Sequence, residues 1–280
     1  MIAPEQYELL DFGDERKLER FGEVILDRPA PMAHAPRQQP GRWSTAWLRY
    51  DHSWGYVREL PTQWHFEHSQ VSLELRTTPA GQVGVFVEQA ENWAWIKRQL
   101  QNGNPTIPPS VLNLFAYTGG STLAAAASGA RVVHLDAAQN IIVWARANAH
   151  LSDLASAPIR WICDDAQKFV AREVRRENCY DAIVLDPPSY GHGPERQPWQ
   201  IDEHLPSLLR QCGKLLSPDW RFVLLTCHTE RFKAKQLQRM LADAVPDEKE
   251  VQFENKPMAL TTASGHELVL GVSIRCHRRP

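Results

Sequence analysis

With 280 residues the chain can hold two domains or one large domain with an extension, and its 43% hydrophobic and 23% charged residues are those of a compact protein, not of a disordered or fibrous one. A formal net charge of −2 excludes a strongly basic nucleic-acid-binding body while leaving RNA neither indicated nor ruled out, and five widely spaced cysteines without a Cys-x-x-Cys pair speak against a disulfide framework or a zinc site. No run approaches the ~18 apolar residues of a membrane span, and Met1-Ile2-Ala3-Pro4-Glu5 has neither the basic start nor the apolar core of a signal peptide, so a cytoplasmic protein is expected.

Residues 1–87 read as a small β-rich domain, with candidate strands at 23–26, 45–50, 55–59, 71–77 and 82–87 and a proline-rich connection from Arg28 to Gly41. Trp43, Trp47, Trp54 and Trp64 crowd this stretch. They can form a base-stacking platform or pack a small core, and the bulk of tryptophan favours packing. A second domain is expected over 88–280. It opens with a helix at 91–101 and a Gly/Asn/Pro linker at 102–109, after which strands and helices alternate. The strands are expected at 111–115, 132–135, 159–163, 182–185 and 222–226, the helices at 121–128, 138–150, 166–177, 204–216 and 233–244. Strand-like runs at 250–253 and 267–274 follow. This alternation implies an α/β, doubly wound Rossmann-like sheet covered on both faces, in which ligands bind beyond the carboxyl ends of the strands.

The interesting residues stand at those ends. Ala116-Tyr117-Thr118-Gly119-Gly120-Ser121 follows the first strand of the alternating region, and its paired glycines let the backbone approach a ligand. Asp136 follows the next strand, roughly 20 residues on, where a carboxylate can accept both hydroxyls of a ribose. Asp164 and Asp165 can accept an adenine amine after the third strand, and Asp186 opens Asp186-Pro187-Pro188-Ser189-Tyr190 after the fourth. Each feature alone has a plainer meaning, a helix N-cap or a tight turn; four in succession point to one pocket. A dinucleotide-binding Gly-x-Gly-x-x-Gly is absent, since Ala116 and Tyr117 stand where its early glycines would be, and no Gly-x-x-x-x-Gly-Lys-Ser/Thr loop supports nucleotide hydrolysis.

The runs 111–120 and 185–190 jointly resemble the class I S-adenosylmethionine-dependent methyltransferases, and among them the family that includes the bacterial 23S ribosomal RNA cytosine-5 methyltransferases. Gly84-Val85-Phe86-Val87-Glu88-Gln89 resembles the strand entering that family's cofactor pocket, and the likeness covers about residues 82–230. The resemblance implies a mostly parallel sheet with an antiparallel last strand, S-adenosylmethionine as cofactor, an RNA substrate and no metal. It implies that the methionine end of the cofactor lies against Phe115, Tyr117, Thr118 and the Gly119-Gly120 turn. The ribose falls on Asp136, the adenine by Asp164 or Asp165, and the transferring methyl near Asp186 and Pro187. Cys227, in Leu224-Leu225-Thr226-Cys227-His228, matches the first two residues of the family's Thr-Cys-Ser nucleophile motif, with His228 in place of the serine.

Carbon 5 of a pyrimidine is a poor nucleophile, and enzymes that methylate it add a thiolate at carbon 6. Cys227 reads as that thiolate or as an inert buried thiol, whereas Cys163, Cys179, Cys212 and Cys276 read as structural. Residues 1–90 hold 9 Lys+Arg against 13 Asp+Glu, an acidic balance that a phosphate backbone does not favour. RNA would then be gripped by Arg172, Arg175 and Arg176 or by Arg275, His277, Arg278 and Arg279, which otherwise read as a solvated helix face and a frayed tail. The loop 191–200, with His192, Glu195, Arg196 and Trp199, is expected to cover the acceptor. Three functions follow: an RNA cytosine-5 methyltransferase with Cys227 as nucleophile and Asp186 on the base edge; an amine methyltransferase acting on a nucleobase, protein or small molecule through Asp186, Pro187 and Tyr190 with Cys227 idle; or a module that binds the cofactor without chemistry. Oligomeric state stays open.

Overall fold

A computed structural model describes residues 2–101, 107–195, 197–246 and 251–278. Arg196, Glu250 and Arg279, and most of the expected 102–109 linker, lie outside the described residues. The chain divides into two compact units, Met1–Glu91 with Met258–Leu270, and Asn92–Pro257 with Gly271–Pro280.

In the first unit β1 (Tyr7–Gly13), β2 (Arg16–Phe21), β3 (Val24–Pro29), β4 (Leu48–Asp51) and β5 (Ser53–Tyr56) form one sheet in that order, and β6 (His65–His68) pairs with β7 (Val71–Glu74) separately. β1, β2 and β3 meander antiparallel, while β3 and β4 run parallel. The first two strands have no counterpart in the sequence expectation, whose earliest strand is 23–26, and β2 carries four charged residues. Among them Glu19 is fully buried. Its carboxylate accepts from the Tyr7 hydroxyl at 3.0 Å, pairs with Lys17 Nζ at 3.0 Å and takes the Arg28 Nε–H. Burial pushes the Glu19 pKa up, but Arg28 and Lys17 outweigh burial and hold it at about 2. The expected strand at 82–87 does not form; this segment leads into a short 3-10 turn, Val87–Gln89. Trp43 and Trp64 are buried, their indole N–H groups donating to Asp11 Oδ2 (2.7 Å) and the Phe21 carbonyl (3.3 Å). Asp11 also accepts from the amides of Gln38 and Gln39, which fastens the proline-rich connection to β1.

The second unit begins within α1 (Ala90–Gln101) and continues through β8 (Ser110–Leu114), α2 (Gly120–Ala126), β9 (Arg131–Asp136), α3 (Gln139–Leu151), β10 (Ile159–Cys163), α4 (Ala166–Arg175) and β11 (Ala182–Leu185). A hairpin of β12 (Tyr190–His192) and β13 (Pro198–Gln200) leads to α5 (Ile201–Gly213), β14 (Phe222–Cys227), α6 (Ala234–Ala242), β15 (Val251–Thr261) and β16 (Glu267–Arg278), the stretches 258–261 and 267–270 of the last two strands being counted with the first unit. The seven-stranded sheet runs β10-β9-β8-β11-β14-β16-β15. Its first five strands pair in parallel, and β16 lies antiparallel to β14. This is the doubly wound Rossmann-like sheet the alternation predicts.

Period-two alternation sorts the strand residues between two cores. Leu112, Leu114, Ile183, Leu185, Val223, Leu225 and Cys227 pack with α4, α5 and α6. Val111, Val132, Ala182, Val184, Phe222 and Leu224 pack with α1 and α2. At the amino ends of the strands Asp181 accepts from Ser110 N (2.7 Å), Ser110 Oγ (3.0 Å) and Ser217 Oγ (2.8 Å), which aligns β8, β11 and β14. Arg275, a candidate RNA contact in a frayed tail, is instead buried within β16, where it donates to Asn92 Oδ1 at 2.8 Å and lies over the Trp95 ring. A guanidinium so enclosed is not offered to a phosphate. No helix among the described residues is long and apolar enough to cross a membrane.

The Glu19 cluster generates a stability prediction. Its carboxyl is depressed in the folded state, so its contribution is complete above the unfolded carboxyl pKa of 4.5 and disappears as the pH falls toward 2. Glu19→Gln strands Arg28 in the core and is expected to cost about 3–5 kcal/mol. Thermal melts of wild type and variant should differ widely at pH 7 and converge near pH 2.

Candidate active site

Strand order reverses between β8 and β11, the point where doubly wound sheets open a crevice at the carboxyl ends of their strands. The turn leaving β8 is unusual. Phe115, Tyr117 and Gly119 have φ of +56°, +48° and +98°, a conformation that bulky aromatic residues rarely adopt and that collects at functional sites. The turn is held from several sides. Asp136, at the end of β9, accepts the Tyr117 amide on Oδ2 (2.9 Å) and the Ala138 amide on Oδ1 (3.1 Å), and Asn148 of α3 donates to the Thr118 carbonyl (2.9 Å). Burial pushes the Asp136 carboxyl up, against the pull of the amides of Ala138, Tyr117 and Ala137.

Gly119 needs its positive φ, whereas Gly120 is required for space: a Cβ there would sit 2.4 Å from Cζ2 of Trp93. Beneath the turn a buried relay connects three elements, Asn113 Nδ2 donating to Thr122 Oγ1 (2.9 Å) and Thr122 Oγ1 bonding His134 Nδ1 (2.8 Å). Burial depresses the His134 pKa to about 3, so this imidazole is neutral at physiological pH.

The next strand ends adjoin this turn. The Asp164 amide donates to the Asp136 carbonyl at 3.1 Å, and the Asp186 amide to the Leu114 carbonyl at 3.4 Å. The two aspartates after β10 have local duties: Asp165 caps α4 by accepting the Lys168 amide (2.9 Å), and Asp164 pairs with Arg172 while accepting the Asp165 amide (2.7 Å). Arg172 is thereby tied to this strand end, and Arg176 to Glu173. Asp186 Oδ1 accepts from Thr226 Oγ1 at 2.5 Å and lies 3.5 Å from His228 Nε2. A bond between Ser189 Oγ and Thr229 Oγ1 (2.6 Å) joins the same two loops.

Cys227 lies one residue beyond Thr226, but its side chain turns to the opposite face of the sheet. It is 2% exposed, packed in the core with α5 and α6. Burial raises its thiol pKa, against the pull of hydrogen bonds with Thr229, whose carbonyl lies 4.0 Å from the sulfur. Trp199, from the β12–β13 hairpin, packs on the Phe115 ring (centroids 4.8 Å) and donates to the Pro188 carbonyl (2.7 Å), while Tyr190 is 58% exposed. Sequence reasoning did not find Trp93, Thr226, Asn148 or the Ser189–Thr229 bond, because each acts through a partner distant along the chain.

Gly120→Ala forces its new methyl against Trp93 and is expected to cost about 1–3 kcal/mol. The loss should appear as a lower melting temperature followed by tryptophan fluorescence, and Trp93→Phe combined with it should recover part of the loss; an alanine variant that melts with wild type would show that the turn tolerates the group.

Comparison with known proteins agrees with this geometry. The family profile for S-adenosylmethionine-dependent methyltransferases matches residues 46–237. A crystal structure of the SAM-dependent methyltransferase from Agrobacterium tumefaciens has a TM-score of 0.89 and 33% identity, covering 98% of this chain and 91% of that one. A provisionally assigned SAM-dependent methyltransferase from Streptococcus mutans shares the fold at TM-score 0.76 and 16% identity, over 98% of this chain and 75% of that one. Among curated proteins, ribosomal RNA large subunit methyltransferase K/L of Hahella chejuensis is 30% identical over 152 residues, 54% of this chain but 20% of that protein. Ribosomal RNA large subunit methyltransferase I of Salmonella arizonae is 27% identical over 172 residues, 61% of this chain and 41% of that protein. The chain thus spans about a fifth to two-fifths of the length of these two curated relatives. With a profile match across more than half its length and a solved relative of the same extent, the chain belongs to the S-adenosylmethionine-dependent methyltransferases, enzymes that take their methyl group from that cofactor.

Proposed function

We propose that this enzyme methylates a base of ribosomal RNA, with the glycine turn, Asp136 and Asp164 or Asp165 holding the cofactor and the 186–190 segment holding the acceptor. The donor set suits a cationic nucleoside. The strand ends present aspartates and the aromatic rings of Phe115, Tyr117 and Trp199, where a polyphosphate site would need basic groups. When bound, S-adenosylmethionine supplies an electrophilic methyl carbon on sulfonium sulfur. In this assignment Phe115, Tyr117, Thr118, Gly119 and Gly120 lie along its methionine end, and Asp136 accepts ribose hydroxyls with lone pairs left beside the hydrogen bonds it takes from the Tyr117 and Ala138 amides. Pro187 and Pro188 stiffen the backbone so that Asp186 is held in one orientation toward a planar acceptor. The ribosomal RNA methyltransferases among its relatives support RNA as the acceptor class, which would place the enzyme in the cytoplasm with its substrate.

One observation carries the choice of chemistry: Tyr190 is exposed directly after Asp186-Pro187-Pro188-Ser189, whereas Cys227 is buried with a raised thiol pKa. This favours an acceptor nitrogen held between the Asp186 carboxylate and an aromatic ring, with Cys227 idle. The cytosine carbon-5 reading is supported by the pairing of β11 with β14, which brings Cys227 and Asp186 to neighbouring strand ends, and it requires the thiol to leave the core.

The test is labelling of 23S RNA and ribosomal subunits from a deletion strain with radiolabelled S-adenosylmethionine, followed by mass spectrometry of the nucleosides. Label in a methylated base amine is expected, with Cys227→Ala retaining activity; 5-methylcytosine together with an inactive Cys227→Ala would establish the thiolate reading instead. Asp136→Asn should weaken cofactor binding about tenfold or more in calorimetry, the equivalent of one charge-assisted hydrogen bond.

A further inference from the structure

We propose that the segment from Arg231 through α6 is the surface that grips the phosphate backbone of the RNA acceptor, with Lys233, Lys235 and Arg239 as the phosphate contacts. This rests on the reading of ribosomal RNA as substrate and deepens it by naming the face that meets the nucleic acid. Residues 231–239 hold four cations and no acid, in a chain whose net charge is −2. At physiological ionic strength exposed charges more than about 8 Å apart are largely screened from one another. The local balance, not the acidity of the whole chain, therefore decides whether a phosphate is attracted.

The fold sorts this stretch into an inward and an outward set. Phe232 is buried in the core, its amide donating to the Thr229 carbonyl at 3.0 Å, and Arg231 and Lys233 on either side of it stand exposed. In α6 Leu237 and Leu241 are buried, which turns Lys235 and Arg239 to solvent. Those two cations are four residues apart on one helix face, about 6 Å along the axis, so their long side chains can close on one phosphate or span two. Arg231 is held by Asp202 of α5, and Lys233 Nζ lies 3.4 Å from the Glu230 carbonyl. Glu230 and Asp243 flank the stretch, yet among the described residues neither Lys235 nor Arg239 forms an ion pair.

Position favours this face over the other cations. The stretch opens two residues after Thr229, whose hydroxyl bond to Ser189 (2.6 Å) ties it to the loop that follows Asp186-Pro187-Pro188. An RNA strand laid along it passes directly beside the segment assigned to the acceptor. The arginines that the sequence offered for this task are engaged elsewhere: Arg172 with Asp164, Arg176 with Glu173, Arg275 inside β16, and Arg278 with the Pro218 carbonyl at 2.8 Å. Each of them must give up a partner before it can take a phosphate.

The test uses the full chain and purified 23S RNA, with binding followed across a series of salt concentrations. A variant combining Lys233→Gln, Lys235→Gln and Arg239→Gln is compared with wild type and with Arg131→Gln, which removes an exposed cation at the amino end of β9. The triple variant should bind about tenfold or more weakly, and its slope of log affinity against log salt should be shallower by about 2–3. KM for RNA should rise in step, while kcat at saturating RNA and affinity for S-adenosylmethionine stay at wild-type values, as does the slope of Arg131→Gln. A triple variant with the wild-type slope, or an Arg131→Gln whose slope falls as far as the triple variant's, overturns the proposal. The two readings fail separately: a wild type that binds no RNA removes both, whereas one that labels RNA alongside a triple variant of unchanged slope and KM removes this surface alone.

Discussion

Asp136 joins the turn after β8 to the turn after β9 by accepting hydrogen bonds from the Tyr117 and Ala138 amides, and the shape of the site depends on that clasp. Holding Phe115 and Tyr117 at positive φ costs about 1–3 kcal/mol each, so the surrounding contacts must overdetermine the turn. They do so from four directions: Asp136 fixes an amide, Asn148 a carbonyl, Trp93 fills the space above Gly120, and Trp199 covers the Phe115 ring. A carboxylate buried in this role is already desolvated, and its remaining acceptor capacity is pointed by the same bonds that hold the backbone.

The carboxyl ends of β11 and β14 follow the same principle with different groups. Thr226 locks the Asp186 carboxylate from the neighbouring strand, and the Ser189–Thr229 hydroxyl pair ties the loops that follow. The pleat of β14 then separates two residues that are adjacent in sequence. Thr226 faces Asp186, while Cys227 is sent into the core against α5 and α6. A thiol and a hydroxyl that look equally available in the sequence thus have opposite fates.

The first unit shows how far charge can mislead. Its second strand carries four charged residues, yet Glu19 is buried there between Lys17 and Arg28 in a core that also takes the Tyr7 hydroxyl. Such clusters are poor stabilisers compared with apolar packing but costly to break, which commits β1, β2 and β3 to one register. The tryptophans of this unit are likewise used in packing, with the indole N–H groups of Trp43, Trp54 and Trp64 bonded within it.

Apolar runs such as Ala182-Ile183-Val184-Leu185 and the glycine and aspartate residues that follow them determined the sheet and its strand ends, because backbone period and turn chemistry are local properties written in neighbouring residues. That is why Asp136 and Asp186 were legible, while β1 and β2 were not: their inward charges find partners only across strands. Tertiary structure alone decided that Asp165 caps a helix, that Trp93 dictates Gly120, that Arg275 is enclosed beside Asn92, and that His228 rather than Cys227 meets Asp186. Each of those outcomes depends on which groups meet after the chain closes, and a hydrogen bond or a packed ring between distant residues leaves no periodic trace along the sequence.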